Sequence, residues 1–212
     1  MPETTSISAK LEKIHRSSIR TVFFYENFYT AIAVLKTVLE KKKSYHILIF
    51  SDNTMRQLKI ISKLAEIQLP KEKLIIVNED GVSEDYCIAF SYQNLESLYD
   101  YLEAIKDPLF IISKGELRII AEDHLKVLLE ILESLNPDLE VMAFLKLETL
   151  EKDEVAVISS LFDLTVLLKK QEEYFGFGEE IYEFHIIESI IPEIQPGMDY
   201  FRVSPDMSII AK

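Results

Sequence analysis

Glycine is nearly missing from this chain: five residues in 212, and none before Gly81. Loops that wrap a phosphate with their backbone N–H groups lean on glycine, so the early part of the chain has no glycine with which to build one. The single cysteine, Cys87, excludes an intrachain disulfide and fits a reducing interior. Tryptophan is absent. No apolar run approaches the roughly 20 residues that a membrane helix requires. No basic segment leading into an apolar one stands at the N-terminus, so the expectation is a cytoplasmic protein without membrane insertion. Lys and Arg are outnumbered by Asp and Glu, 23 to 36, for a net charge of −13. That balance repels phosphate backbones and argues against nucleic acid as the main partner.

What is present is a core. Apolar residues make up 48 % of the chain, above what a disordered segment carries, and the length suits one large domain. The richness in Lys, Glu and Ile suggests a hyperthermophile source. Residues 1–18 are polar and read as an N-terminal arm or short amphipathic helix, with Ile7, Leu11 and Ile14 at helical spacing. From residue 19 to 212 a single domain is expected, since no repeat, low-complexity tract or linker interrupts it.

Strands and helices alternate along that domain. Residues 21–25 (TVFFY) are β-branched and aromatic, a buried strand. Residues 30–43 follow helical periodicity and end in three lysines, which suit a helix C-terminus. Residues 46–50 predict a second strand, and Ser51, Asp52 or Asn53 caps the next helix, which is predicted to run to about residue 67 with Leu58, Ile61 and Leu64 inward. Further strands are predicted at 73–77, 86–90, 108–112, 140–145 and 163–168, and helices at 94–105, 122–135 and 151–161. Beyond them, 180–189, 200–203 and 207–211 read as antiparallel strands joined by turns at 176–178, 196–197 and 205–206. Such βα alternation implies an α/β fold: a mostly parallel sheet with helices on both faces, extended at one edge by C-terminal hairpins.

In architecture and hydrophobic texture the chain, from about residue 19 to its C-terminus, resembles the RecA superfamily and within it the archaeal relatives of KaiC. Residues 21–25 resemble the strand before the Walker A loop, 108–113 the Walker B strand, and 161–168 and 182–211 the closing strands of that family. The resemblance implies a three-layer RecA-like fold and locates a nucleotide site whose motifs are missing. A P-loop needs glycines, a Lys against the phosphates and a hydroxyl for Mg²⁺. The matching turn here is Tyr25, Glu26, Asn27, Phe28, Tyr29 and Thr30, with no Gly, no Lys and one carboxylate. Thr30 reads as a helix-capping residue rather than a metal ligand. Ser113 stands where the Walker B Asp would end its strand. Asp52 matches the family's carboxylate at the end of the second strand, but reads as a cap or turn residue with nothing to activate. The places of the family's trans-acting Lys and Arg hold Glu188 and Ile190. These losses predict neither ATP nor GTP hydrolysis.

Other chemistry is sparse. His15, His46, His124 and His185 have no His or Cys partner at ligand spacing, so no metal site is expected. The Phe175-Gly-Phe-Gly segment lies between strands, where a dinucleotide fingerprint would need a helix. Aromatics are the exception. Phe23, Phe24, Tyr25, Phe28 and Tyr29 crowd the vacated nucleotide place, and Tyr174, Phe175 and Phe177 decorate the late turn. They either fill the pocket and cover a sheet edge, or form an interface through Phe28, Tyr29, Tyr174, Phe175 and Phe177. The leading expectation is a catalytically inactive, cofactor-free RecA/KaiC-like module that forms a homo-oligomer or pairs with an active ATPase relative. The alternatives are a sensor that binds a small molecule or nucleotide without hydrolysis, and an enzyme of another class working at the strand C-termini.

Overall fold

The computed structural model describes residues 7–17, 20–83, 87–120, 124–171 and 180–212. Helix α1 (Ile7–Arg16) precedes β1 (Arg20–Tyr25), α2 (Phe28–Leu39), β2 (His46–Ile49), α3 (Asp52–Leu64), β3 (Leu74–Asn78) and β4 (Ile88–Ser91). The chain continues through α4 (Glu96–Glu103), β5 (Leu109–Ser113), α5 (Leu117–Ile120), α6 (His124–Ser134), β6 (Val141–Lys146), α7 (Lys152–Ser159) and β7 (Leu164–Lys170). It closes with β8 (Tyr182–Ser189), β9 (Gly197–Val203) and β10 (Ile209–Ala211). The ten strands of the described residues form one sheet in the order β10-β9-β8-β7-β1-β6-β5-β2-β3-β4. The pairings among β1–β7 are parallel, and β8–β10 continue the edge antiparallel. The expected α/β architecture, helices on both faces and hairpins at the C-terminus, is what forms.

Two apolar layers sandwich the sheet, because successive side chains of a strand point to opposite faces. On β1, Phe23 and Tyr25 enter the layer under α1, α2 and α3, while Val22 and Phe24 enter the layer under α4–α7. Phe23 stacks on Phe144 of β6 with ring centroids 4.8 Å apart and planes 10° from parallel. Such burial on both faces is why β1, β5 and β6 read as unbroken apolar runs.

Local chemistry moved several boundaries. Helix α2 starts at Phe28, not at residue 30, because the Asn27 side chain accepts from the Tyr29 N–H and caps it there. Thr30 is therefore inside the helix and fully buried, its hydroxyl donating to the Asn27 carbonyl. Ser51, rather than Asp52 or Asn53, caps α3 by accepting from the Thr54 N–H. Leu64 is 64 % exposed instead of inward. Seven residues after the buried Leu58, two helical turns on, it is Ala65 that faces the core, and Glu66 at φ 56 ends the helix before Pro70. The arm residues Ile7, Leu11 and Ile14 are buried in the chain's own core, where α1 packs on α2 and β10, and Lys10 pairs with Asp199 at 2.5 Å. The turn carrying Tyr174, Phe175 and Phe177 lies outside the described residues.

Candidate functional site

Open α/β sheets place ligands beyond the C-terminal ends of their strands. Here β1, β6 and β5 lie side by side, with Tyr25 opposite Lys146 and Ser113 opposite Leu145. Tyr25 and Ser113 are thus two strands apart at one end of the sheet. The Tyr25 phenol spans that gap and donates to the Ser113 carbonyl at 3.0 Å. Burial, and then the nearby Glu116 carboxylate, raise the phenol's pKa far above its ordinary value of 10. Tyr25 is therefore a neutral structural brace at any physiological pH.

The turn after β1 uses its own backbone donors. The Glu26 N–H goes to the Leu168 carbonyl at 3.1 Å, the Tyr29 N–H to the Asn27 side chain at 2.8 Å, and the Thr30 N–H to the Asn27 carbonyl at 3.2 Å. A phosphate at this helix N-terminus would have to displace these partners. The Glu26 carboxylate lies 3.6 Å from Lys169 and accepts from the Lys170 N–H at 3.3 Å, which places negative charge beside the turn. Phe28 turns inward, its ring 6.0 Å from that of Tyr25, with the Lys114 ammonium 5.0 Å above it. Tyr29 alone of the early aromatics points outward, 52 % exposed.

The main polar feature is a residue that sequence reasoning did not single out. Glu116 projects into the space at the end of β5 and is held on both oxygens. Oε1 accepts from the Ser51 hydroxyl at 3.0 Å and from the Thr54 hydroxyl. Oε2 accepts from the Ser113 hydroxyl at 3.3 Å and from the Lys114 N–H. Thr54 and Ser113 are buried. Two segments far apart in sequence, the capped start of α3 and the turn after β5, thus donate to one carboxylate. The turn depends on Gly115, at φ +109, where an added Cβ would stand 2.7 Å from the Thr149 methyl. A Ser and a Thr three apart at a helix start, facing a Ser-Lys-Gly-Glu run after an apolar strand, were the available signal.

The other expected residues do not join this network. Asp52 is exposed in the first turn of α3 and accepts from the Asn78 amide at 3.2 Å. Ile190, at a place that resembled the family's trans-acting cation, is 69 % exposed. The cavity next to Ser113, Gly115 and Thr149 holds about 20 Å³, room for one water and far below the several hundred Å³ of a ligand pocket. A larger cleft of about 540 Å³ opens at the other end of the strands, lined by Lys36, Lys42 and Lys73. Those lysines are already engaged, by the Asp206 carbonyl at 2.7 Å, by Glu140, and by Asp107 at 2.6 Å respectively. Among the described residues no cluster of three His, Cys, Asp or Glu could hold a metal ion. Among the described residues no helix is long and apolar enough to cross a membrane.

No protein-family profile matches the chain, and no curated protein does. Solved structures do. A KaiC-like protein of the hyperthermophilic archaeon Pyrococcus horikoshii superposes with a TM-score of 0.58 at 11 % identity, covering 92 % of this chain and 89 % of that one. An uncharacterized protein of the same organism, solved with an unknown peptide, gives 0.57 at 12 % identity over 95 % and 97 %. The flagellar accessory protein FlaH of Methanocaldococcus jannaschii gives 0.53 at 11 % identity over 92 % and 89 %. The fold is therefore that of the KaiC-like RecA domains.

Proposed function

We propose that this chain is a catalytically inactive RecA/KaiC-like module that works through protein contacts, associating with itself or with an active ATPase relative. The observation that carries this reading is Glu116. A carboxylate bonded to Ser51, Thr54, Ser113 and the Lys114 N–H occupies polar space at the strand ends with the protein's own anion. A bound phosphate would face that charge, and the Glu26, Tyr29 and Thr30 N–H groups of the turn after β1 already have partners within the chain. No lysine stands in that turn, and Ser113 rather than a carboxylate ends β5. One of the similar structures was solved in complex with an unknown peptide, which supports a reading in which this chain works through polypeptide contacts. A net charge of −13 makes nucleic acid a poor partner.

The test is phosphate release from ATP and GTP with Mg²⁺, followed across a final gel-filtration peak. The expected result is release no greater than the buffer blank in every fraction. Magnesium-dependent release that tracks the protein through the peak removes the proposal.

A further inference from the structure

Helix α1 precedes β1 and packs on α2 and β10. Its apolar side chains Ile7, Leu11 and Ile14 are buried, and Lys10 pairs with Asp199 of β9. Toward the C-terminal end of α1 the packing is incomplete. A cleft of about 370 Å³ opens between α1 and α2, lined by Glu12 and His15 on one side and by Thr37, Glu40 and Lys41 on the other. His15 is half-buried there, and its Nδ1 is shut off from solvent with no hydrogen-bond partner.

The carboxylates around this imidazole already have cations. On α1 Arg16 pairs with Glu12; across the cleft Lys36 lies 4.0 Å from Glu40; and Lys42 forms a buried pair with Glu140, ahead of β6. Lys41 is left as excess positive charge beside His15. An imidazolium would add to that excess, and its Nδ1–H would be a buried donor without an acceptor. Burial first, then Lys42, and after it Arg16 and Lys41, hold the His15 pKa below the ordinary 6.5 against the opposing pull of Glu140.

We propose that α1 is an acid-released strap: a proton on His15 drives it off α2 and β10 while the sheet stays folded. The docked helix prefers the neutral imidazole, so docking is at full strength above the free-histidine value of 6.5 and weakens as the pH falls below it. Carboxylates titrate near pH 4, well under this window. Release carries Ile7, Leu11 and Ile14 away and bares apolar surface on the helix and on the seam it covered. The device works whether or not the chain is an interaction module. His46 supplies the control, since it too has a buried Nδ1 without a partner and a pKa lowered by burial. It starts β2 inside the sheet, so its protonation acts on the body and not on α1.

Backbone hydrogen exchange of the full chain at about pH 7.5 and about pH 5.5, corrected for the intrinsic pH dependence of exchange, tests this. The amides of α1 lose protection toward the lower pH, by up to about tenfold per pH unit for one linked proton, while those of β1, β5 and β6 keep theirs. His15→Gln carries no titrating group and removes the acid loss in α1; His46→Gln leaves it in place. In the parent, proton NMR of His15 gives an apparent pKa below 6.5. Equal protection of α1 at both pH values overturns the proposal. So does an acid loss that persists in His15→Gln, vanishes in His46→Gln or is shared by β1. A His15 pKa above 6.5 overturns it too, by showing that the imidazolium turns to Glu140, whose Oε1 is buried without a partner, and tightens the strap.

Discussion

The parallel strands β1–β7 and the antiparallel strands β8–β10 share one sheet but are completed differently. The parallel body is covered on both faces, and at its strand ends the chain fills its own space with Tyr25, Phe28 and Glu116. The extension is covered on one face and leaves Met198, Tyr200 and Ile210 outside. The strand ends of the body are filled from within, whereas apolar side chains stay at the surface of the extension.

Substitutions measure that contrast, beginning in the body. Phe23→Ala removes a fully buried ring stacked on Phe144 and should cost about 3–5 kcal/mol, read as a large drop in the denaturant midpoint. A small loss there would mean that the central layer is looser than its packing implies. Glu116→Ala leaves the Ser51, Thr54 and Ser113 hydroxyls and the Lys114 N–H without their shared acceptor. Charged hydrogen bonds of this kind are worth about 2–3 kcal/mol in total once solvent and relaxation have taken part, so the melting temperature should fall by several degrees. Unchanged stability, or a gain, would mark Glu116 as a poor structural partner held for another purpose.

Tyr25→Phe tests the brace with an effect that depends on pH. At neutral pH it removes the bond to the Ser113 carbonyl and should cost about 1 kcal/mol. The folded state holds the phenol's proton more tightly than the unfolded state, whose pKa is 10. The stability this confers is fully present below that pH and is lost as the pH rises above it. Tyr25→Phe should therefore lose less stability than the parent between neutral pH and strongly alkaline pH, followed by chemical denaturation at each. Equal alkaline losses would show that Tyr25 ionises as readily folded as unfolded. At the other extreme, Met198→Ala lies on the open face, 43 % exposed, and should change the stability of the monomer by less than about 0.5 kcal/mol. A core-sized loss there would contradict the open flank.

How much of this was legible follows the same division. The apolar runs at residues 21–25, 108–112 and 140–145 are long, β-branched and buried on both faces, so their strands could be read directly. Helix ends were less legible, because a single side chain decides them: Asn27 pulls the start of α2 forward, and Ala65 takes the inward place expected of Leu64. The sequence showed that a phosphate cradle could not be built from glycine near Tyr25. It did not show Glu116 in the gap, since that carboxylate meets Ser51 and Thr54 only after β2 and β5 pair in register. The open flank was hidden for a similar reason. Met198, Tyr200 and Ile210 are spread over two strands, and become one surface through cross-strand pairing that no local pattern encodes.

The central claim is that the strand ends are closed to nucleotide by the chain's own side chains. Calorimetric titration of the purified protein with Mg²⁺-ATP up to millimolar concentration tests it most directly. The account predicts no saturable heat beyond dilution. A saturable isotherm with defined stoichiometry, weakened by substitutions in the turn from Glu26 to Thr30, would contradict it and would make the chain a nucleotide sensor instead.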